Sequence, residues 1–485
     1  MLLNLSLLIF SPLIELITGI FARKFPKLHE IVISIIICST TVLSIQLPIS
    51  SEIYFIDLGF FSFRFSCDIY SYFFGILVNL VWLLTNLYSY SYVSKNIHHN
   101  KVNQFFKYLS LTIFAVFGIN YSADLKTLLF FQVLLTLFTS PLILQYENEQ
   151  AVKANKIYLS THLLSALIFF LPAVLLLYHY TGSTELSHHQ TKINQSIIFN
   201  QDHILISSLL FFLFIFGISK NCNLPFHRWI IETTVAPTPV SGLLHSVAAV
   251  KSGSITAIKV MVYVFGLDFV KELTANFFTG GWIFYLLGFS AIYAAYKALK
   301  TTNIKHRFAY STISQLSYIL TSILIGTPLA MTGAMLHIIS HSLCKLSLFY
   351  IAGVFATVHG VYGTKESAAI APNLKVLIFL LAFCGASIIG LPFLPGSFGK
   401  DYMIISEWQT HHYSSIIFLI AGSIINVLYI YPIVKAAFFH KNYEKKTLAP
   451  TPFTMRLAIM IAISLSLMIS FYINDLVAFF NFYLD

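Results

Sequence analysis

Apolar runs long enough to cross a ~30 Å hydrocarbon core recur along the whole chain and predict about fourteen helices. They fall near residues 2–20, 30–47, 70–92, 104–122, 124–144, 158–180, 203–230, 238–265, 278–296, 307–325, 328–356, 373–408, 412–439 and 454–480. No run shows the alternation of a barrel strand, so the crossings read as helices, in which every backbone group is satisfied internally. Two runs are interrupted. In "FIFGISKNCNLPFHRWIIE" an apolar helix reaches Lys220, breaks between Asn221 and Pro225, and resumes. In "IIGLPFLPGSFGKDYMIISEW" the pattern recurs at Pro392, Pro395, Gly396 and Gly399, with Lys400 next in line. These are spans seven and twelve, five helices apart. Matching breaks in two five-helix units mark inverted repeats, in which freed backbone lines an ion path instead of meeting lipid. Pro and Gly also merely kink helices. A lysine beside each break favours the path.

Composition agrees with this pattern. Of 485 residues, 57% are hydrophobic and 10% charged, against about 25% charged in soluble domains, and the mean hydropathy is +0.79. The formal charge of +10 comes from Lys and Arg scattered among short loops, without the basic tract that nucleic acid would require. Membrane orientation explains it. Arg23, Lys24 and Lys27 follow span one, Lys95 and Lys101 span three, Lys297, Lys300, Lys305 and Arg307 span nine, and Lys441, Lys445 and Lys446 span thirteen. The loops between are acidic or neutral: Glu52, Asp57 and Asp68 after span two, Glu185 and Asp202 after span six, Asp268 and Glu272 after span eight. The positive-inside rule then puts odd-to-even loops in the cytoplasm and both termini on the non-cytoplasmic side. The opening segment has its apolar run before its positive charges, so it reads as the first span and not as a cleavable signal. Cys38, Cys67, Cys222, Cys344 and Cys384 are odd in number and lack metal-ligand spacing, so no metal site, iron-sulfur cluster or disulfide framework is expected.

The candidate chemistry lies inside the spans. "VAPTPVSGLLHSVAAVKSGSITAIKV" carries His245 and Lys251 behind Pro237 and Pro239, which read as a further helix break. "MLHIISHSLCKLSLFYIAGV" carries His337, His341 and Lys345 at i, i+4 and i+8, one helical face and a ladder of ~12 Å. With Lys220 and Lys400 they make seven titratable groups where a charge costs ~2.5–3.5 kcal/mol at the least. Joined by water, such groups form a proton wire. The plainer alternatives are a packed histidine and a snorkelling lysine. Ser311, Thr312, Ser314 and Gln315 either hold water or bond carbonyls one turn back. Lys259 and Lys435 receive no role.

Taken together, "LPFHRW", "VAPTPVSGLLHSVAAVKSG", "AYSTISQLSY", "HIISHSLCKLSLFYIAG" and "GLPFLPGSFGKD" resemble the proton-conducting antiporter-like subunits shared by respiratory complex I and Mrp-type cation/proton antiporters, and most of all the Mrp subunit of the D type. The resemblance implies helices one to three over residues 1–103 and a first repeat, helices four to eight, over 104–265. It implies an inverted second repeat, helices nine to thirteen, over 278–440 and helix fourteen over 441–485. It further implies Lys220 and Lys400 as the lysines of two half-channels, with His245, Lys251, His337, His341 and Lys345 as the axis between them. No cofactor belongs to such a subunit; its partners are other membrane subunits, lipid, protons and a monovalent cation such as Na+ or K+, in a bacterial cytoplasmic membrane. One departure stands out. Where the family places a glutamate on helix five, this chain has Gln132, which hydrogen-bonds but carries no charge. Glu147, Glu149 or a partner chain could supply the missing charge. The expected function is therefore a proton-translocating subunit of a multisubunit cation/proton antiporter. The alternatives are a membrane-arm subunit of a respiratory NADH-quinone oxidoreductase, and a non-pumping anchor or inorganic-carbon-uptake partner.

Overall fold

The computed structural model describes residues 2–19, 24–57, 59, 62–370, 374–439 and 449–484; Arg23, Lys441, Lys445 and Lys446 lie outside them. The chain is a polytopic helical membrane protein. Among the described residues, eleven helices are long and apolar enough to cross a membrane, or twelve if the bent pair His188–Ile197 and Gln201–Gly217 is one span. Three further apolar stretches are interrupted: the first, at Ser11 between Leu2–Phe10 and Pro12–Thr18, and the stretches read as spans seven and twelve.

Burial sorts the helices. Thr238–Phe265, Ile304–Ile325 and Pro328–His359 are enclosed almost completely, whereas Pro26–Gln46, Glu149–Thr181 and Tyr413–Lys435 leave most of their surface outward. The enclosed helices are the less apolar ones, because lipid selects apolar side chains outside and the interior tolerates polar ones. Pro328–His359 is the central post. Tyr88 stacks on its Tyr350 with ring centroids 3.9 Å apart and donates to the Tyr350 carbonyl at 3.0 Å, while the Tyr350 hydroxyl donates to Thr85 at 3.0 Å. Ser342 of the same helix donates to the Ser246 carbonyl at 2.8 Å.

Four features depart from the hydropathy reading. The acidic segment after span two is an antiparallel hairpin, Ser50–Asp57 with Ser62–Cys67, pairing Tyr54 with Phe65 and Ile56 with Phe63. Its alternation is too short to stand out beside the long apolar runs. Asp68 ends it and caps Ile69–Asn96, accepting from the Ser71 amide at 2.7 Å. The segment after span six contains the helix His188–Ile197. Span fourteen is two helices, Phe453–Phe471 and Ile473–Leu484, parted at Tyr472. Pro237 and Pro239 open the helix Thr238–Leu243 instead of breaking one, as suits a residue without an N–H in a first turn.

The connections define two faces. On one, the hairpin joins the 122–125 and 184–197 segments: Ala123 donates to the Arg64 carbonyl at 2.8 Å, Leu186 to the Ala123 carbonyl at 2.9 Å, and the Thr191 hydroxyl to the Tyr263 carbonyl at 2.8 Å. On the other, Asn96, Tyr146, Thr234, Lys305, His306 and Tyr362 surround a cavity of about 550 Å³.

Candidate functional site

Helix Ile204–Gly217 stops one residue before a 3-10 turn, Ser219–Asn221. Cys222 follows in the left-handed region at φ 58, and Pro225, which lacks an N–H and biases the residue before it away from helix, delays the restart to Arg228–Glu232. The break holds Lys220 inside the protein, 3% exposed. Its ammonium donates to Thr136 Oγ1 at 2.9 Å and to the Gln132 carbonyl at 3.3 Å. Span eight approaches closely enough that a Cβ on Gly253 would lie 2.8 Å from the Asn221 nitrogen, so only glycine fits there.

The second break is built differently. Gly390, at φ +94, ends Lys375–Ile389, and Pro395 starts Pro395–Gln409 from its first turn, with Gly396 beside it and Pro392 in the turn between. Lys400 sits on the second half and reaches back to the first. It donates to the Ile389 carbonyl at 3.0 Å and to Ser423 Oγ at 2.8 Å, and lies 5.5 Å from the Tyr318 ring centroid. A free carbonyl at a helix C-terminus is a natural partner for a cation. A Cβ on Gly399 would come within 2.8 Å of the His337 nitrogen, so this half-helix lies directly against the central post.

Between the breaks, His337 shares a hydrogen bond of 3.0 Å from Nε2 with Gln315 Oε1, and its ring centroid is 5.8 Å from that of His341. Lys345 donates to the Phe308 carbonyl at 3.0 Å. His245 lies in a π-helical turn, Leu244–Ala248, and stacks on Phe349 at 4.2 Å; such turns often occur at functional positions. His341 is within electrostatic reach of Lys251, Lys345, His337 and His245, and His337 within reach of Lys400 and Lys251. The structure thus brings His245, Lys251, His337, His341, Lys345 and Lys400 into one buried group, with Lys220 at its edge beside Cys222, which Lys251 also approaches. Both ring nitrogens of His245 and His341, His337 Nδ1 and the Lys251 ammonium are buried without a protein partner among the described residues. Buried polar atoms of this kind need water.

The Gln132 side chain is engaged elsewhere than at Lys220. Its amide donates to Thr256 Oγ1 at 2.7 Å. Glu147 pairs with Lys101 at 2.6 Å, and both Glu147 and Glu149 are exposed on the face with the larger cavity, so neither compensates for the missing charge. The hydroxyl run divides. Gln315 joins the axis, Thr312 bonds the Phe308 carbonyl one turn back, Ser314 donates to Tyr318 and Ser311 accepts from Tyr429. Lys435 is exposed beside Tyr431, whereas Lys259 is buried.

Sequence reasoning missed His162, whose Nδ1 shares a hydrogen bond of 2.8 Å with Ser219 next to Lys220. It also missed the buried carboxyls Glu15, which accepts from Trp82 Nε1 at 2.8 Å, and Glu407.

Residues 122–426 match the family described as NADH:quinone oxidoreductase/Mrp antiporter, transmembrane. A "Probable K(+)/H(+) antiporter" component of Rhizobium meliloti is 26% identical over 358 residues, covering 73% of this chain and 34% of that protein. NADH-quinone oxidoreductase subunit L of Campylobacter jejuni is 26% identical over 447 residues, covering 90% and 71%. The chain therefore spans about a third of the first relative (34%). A chain of the Mrp complex from Dietzia sp. shares the fold at a TM-score of 0.81 and 14% identity, over 98% of this chain and 96% of that one.

Proposed function

The chain belongs to the NADH:quinone oxidoreductase/Mrp antiporter transmembrane family, and on that footing we propose that it is the proton-translocating subunit of a multisubunit monovalent cation/proton antiporter. The observation that carries this proposal is the convergence of Lys251, His337, His341, Lys345, His245 and Lys400 inside a bundle whose outer surface is apolar, with a helix break at each of the two outlying lysines. Burying that many basic groups in one place, several with no protein partner, is costly in any packed helix interior. Water shared among them removes the penalty and at the same time links them for proton transfer. Among the described residues, eleven uninterrupted spans and three interrupted stretches support fourteen crossings. Breaks in spans seven and twelve support two inverted repeats, 104–265 and 278–440, between an N-terminal unit, 1–103, and a final helix within 441–485. The chain would sit in a bacterial cytoplasmic membrane with both termini outside, among other membrane subunits.

One observation favours a second reading, a membrane subunit that anchors without pumping through its first half. Lys220 is bonded to a carbonyl and a hydroxyl, and Gln132 offers it no charge. Membership in a respiratory NADH-quinone oxidoreductase is a third reading, equally compatible with the family.

Salt-dependent proton flux in vesicles holding the assembled complex distinguishes these. Lys345→Ala and Lys400→Ala each abolish flux if the buried group is the pathway. Wild-type flux in both variants rules that pathway out. A wild-type complex with no flux supports the anchor.

A further inference from the structure

An ion pair between a buried lysine and a partly buried carboxylate lies outside the axis. Lys259, two turns beyond Lys251 on span eight, has a side chain 1% exposed; its ammonium lies 3.5 Å from Asp68 Oδ2 and donates to the Ser122 carbonyl at 2.8 Å. The two carboxylate oxygens of Asp68 divide the work, Oδ1 capping Ile69–Asn96 and Oδ2 facing the lysine. A cavity of about 230 Å³ opens beside the pair on the hairpin face, lined in part by Ser66, Asp68, Ser187, His188 and Tyr263, and the rings of His188 and Tyr263 meet edge-on at 5.0 Å.

Polar groups continue inward from Lys259. Thr256, one turn earlier on the same helix, accepts from the Gln132 amide at 2.7 Å. The Gln132 backbone carbonyl accepts from Lys220, as the Thr136 hydroxyl does. Asp68, Lys259, Thr256 and Gln132 thus line the way from the cavity to Lys220, the Thr256 hydroxyl itself donating to the Ser252 carbonyl at 2.7 Å. An ion pair largely withdrawn from water is seldom a net gain in stability over apolar packing, so its position between the cavity and the polar residues that lead to Lys220 calls for another reason.

We propose that Asp68 and Lys259 form the proton-exchange site through which the Lys220 half of the pathway opens to the hairpin face, with Gln132 and Thr256 lining the stretch between the pair and Lys220, across which water carries the proton. The proposal rests on the proton-pathway reading above. In the exchange, the Lys259 ammonium gives its proton to the Asp68 carboxylate, and the acid passes it to water in the cavity. The neutral amine then takes a proton from the Lys220 side. The carboxylate absent at position 132 thus stands at the mouth of the half-channel instead of its middle.

The test is proton flux in vesicles of the assembled complex carrying Asp68→Asn, Asp68→Glu or the double change Asp68→Asn with Lys259→Gln, beside Lys400→Ala. Asn keeps the helix cap, and the double variant leaves no unpaired buried charge. The expected result is normal assembly, flux reduced about tenfold or more in Asp68→Asn and in the double variant, the scale on which losing a positioned proton donor or acceptor acts, and substantial recovery in Asp68→Glu. Wild-type flux in Asp68→Asn and the double variant, with Lys400→Ala inactive, overturns this inference and leaves the axis standing. Failure of both to assemble marks the pair as structural and overturns it too. Wild-type flux in Lys400→Ala removes the pathway reading on which the inference depends.

Discussion

At Lys220 the hydrogen-bond partners are a carbonyl and a hydroxyl, neither of them charged. Replacing Gln132 by Glu frees that side chain from Thr256 and lets a carboxylate turn toward the ammonium, adding the opposite charge that favours the protonated lysine. Gln132→Glu is expected to raise salt-dependent proton flux in vesicles; unchanged or lower flux would mean that charge at this position is not limiting. The seven lysines and histidines singled out in the sequence were visible because a basic residue in an apolar run contradicts its surroundings. His162 was less visible, a single imidazole with no second basic group at helical spacing and an aromatic neighbour, Tyr158, one turn back. Glu407 stands in the last turn of its helix, where a carboxyl ordinarily meets water, and only the tertiary packing buries it. The Asp68–Lys259 pair joins residues 191 positions apart, a contact no local pattern encodes.

At the level of elements, the two breaks were legible because Pro and Gly punctuate helices in ways independent of tertiary context. Their geometry was not. Lys220 lies in the broken turn itself, whereas Lys400 lies beyond its break and reaches back. Cys222 adopts φ 58 at the first of them, a conformation costing a residue with a Cβ about 1–2 kcal/mol. Cys222→Val, whose branched Cβ tolerates that backbone least, should therefore lower the thermal midpoint of the purified protein more than Cys222→Ala, which keeps an unbranched Cβ and loses only the buried thiol. Equal midpoints for both would show that the turn is held without strain at this residue. The π-turn at His245 left no trace in hydropathy, since one extra residue per turn does not disturb an apolar run. The hairpin and the helix His188–Ile197 escaped notice because they are short and largely polar.

Across the whole molecule, fold class was readable because apolar runs of this length have few solutions other than membrane helices. Which helices meet was not readable. The structure sets the polar spans Thr238–Phe265, Ile304–Ile325 and Pro328–His359 at the centre, with a cavity of about 550 Å³ on one face and one of about 230 Å³ on the hairpin face. Inside those spans lies the basic group whose unpaired nitrogens demand water. That demand is the physical basis of the functional proposal, and a cryo-EM map of the assembled complex sharp enough to place water tests it most directly. Ordered water within hydrogen-bond distance of Lys251, His341 and His337, continuous toward Lys400, is the expected result. Dry apolar packing between those side chains contradicts it.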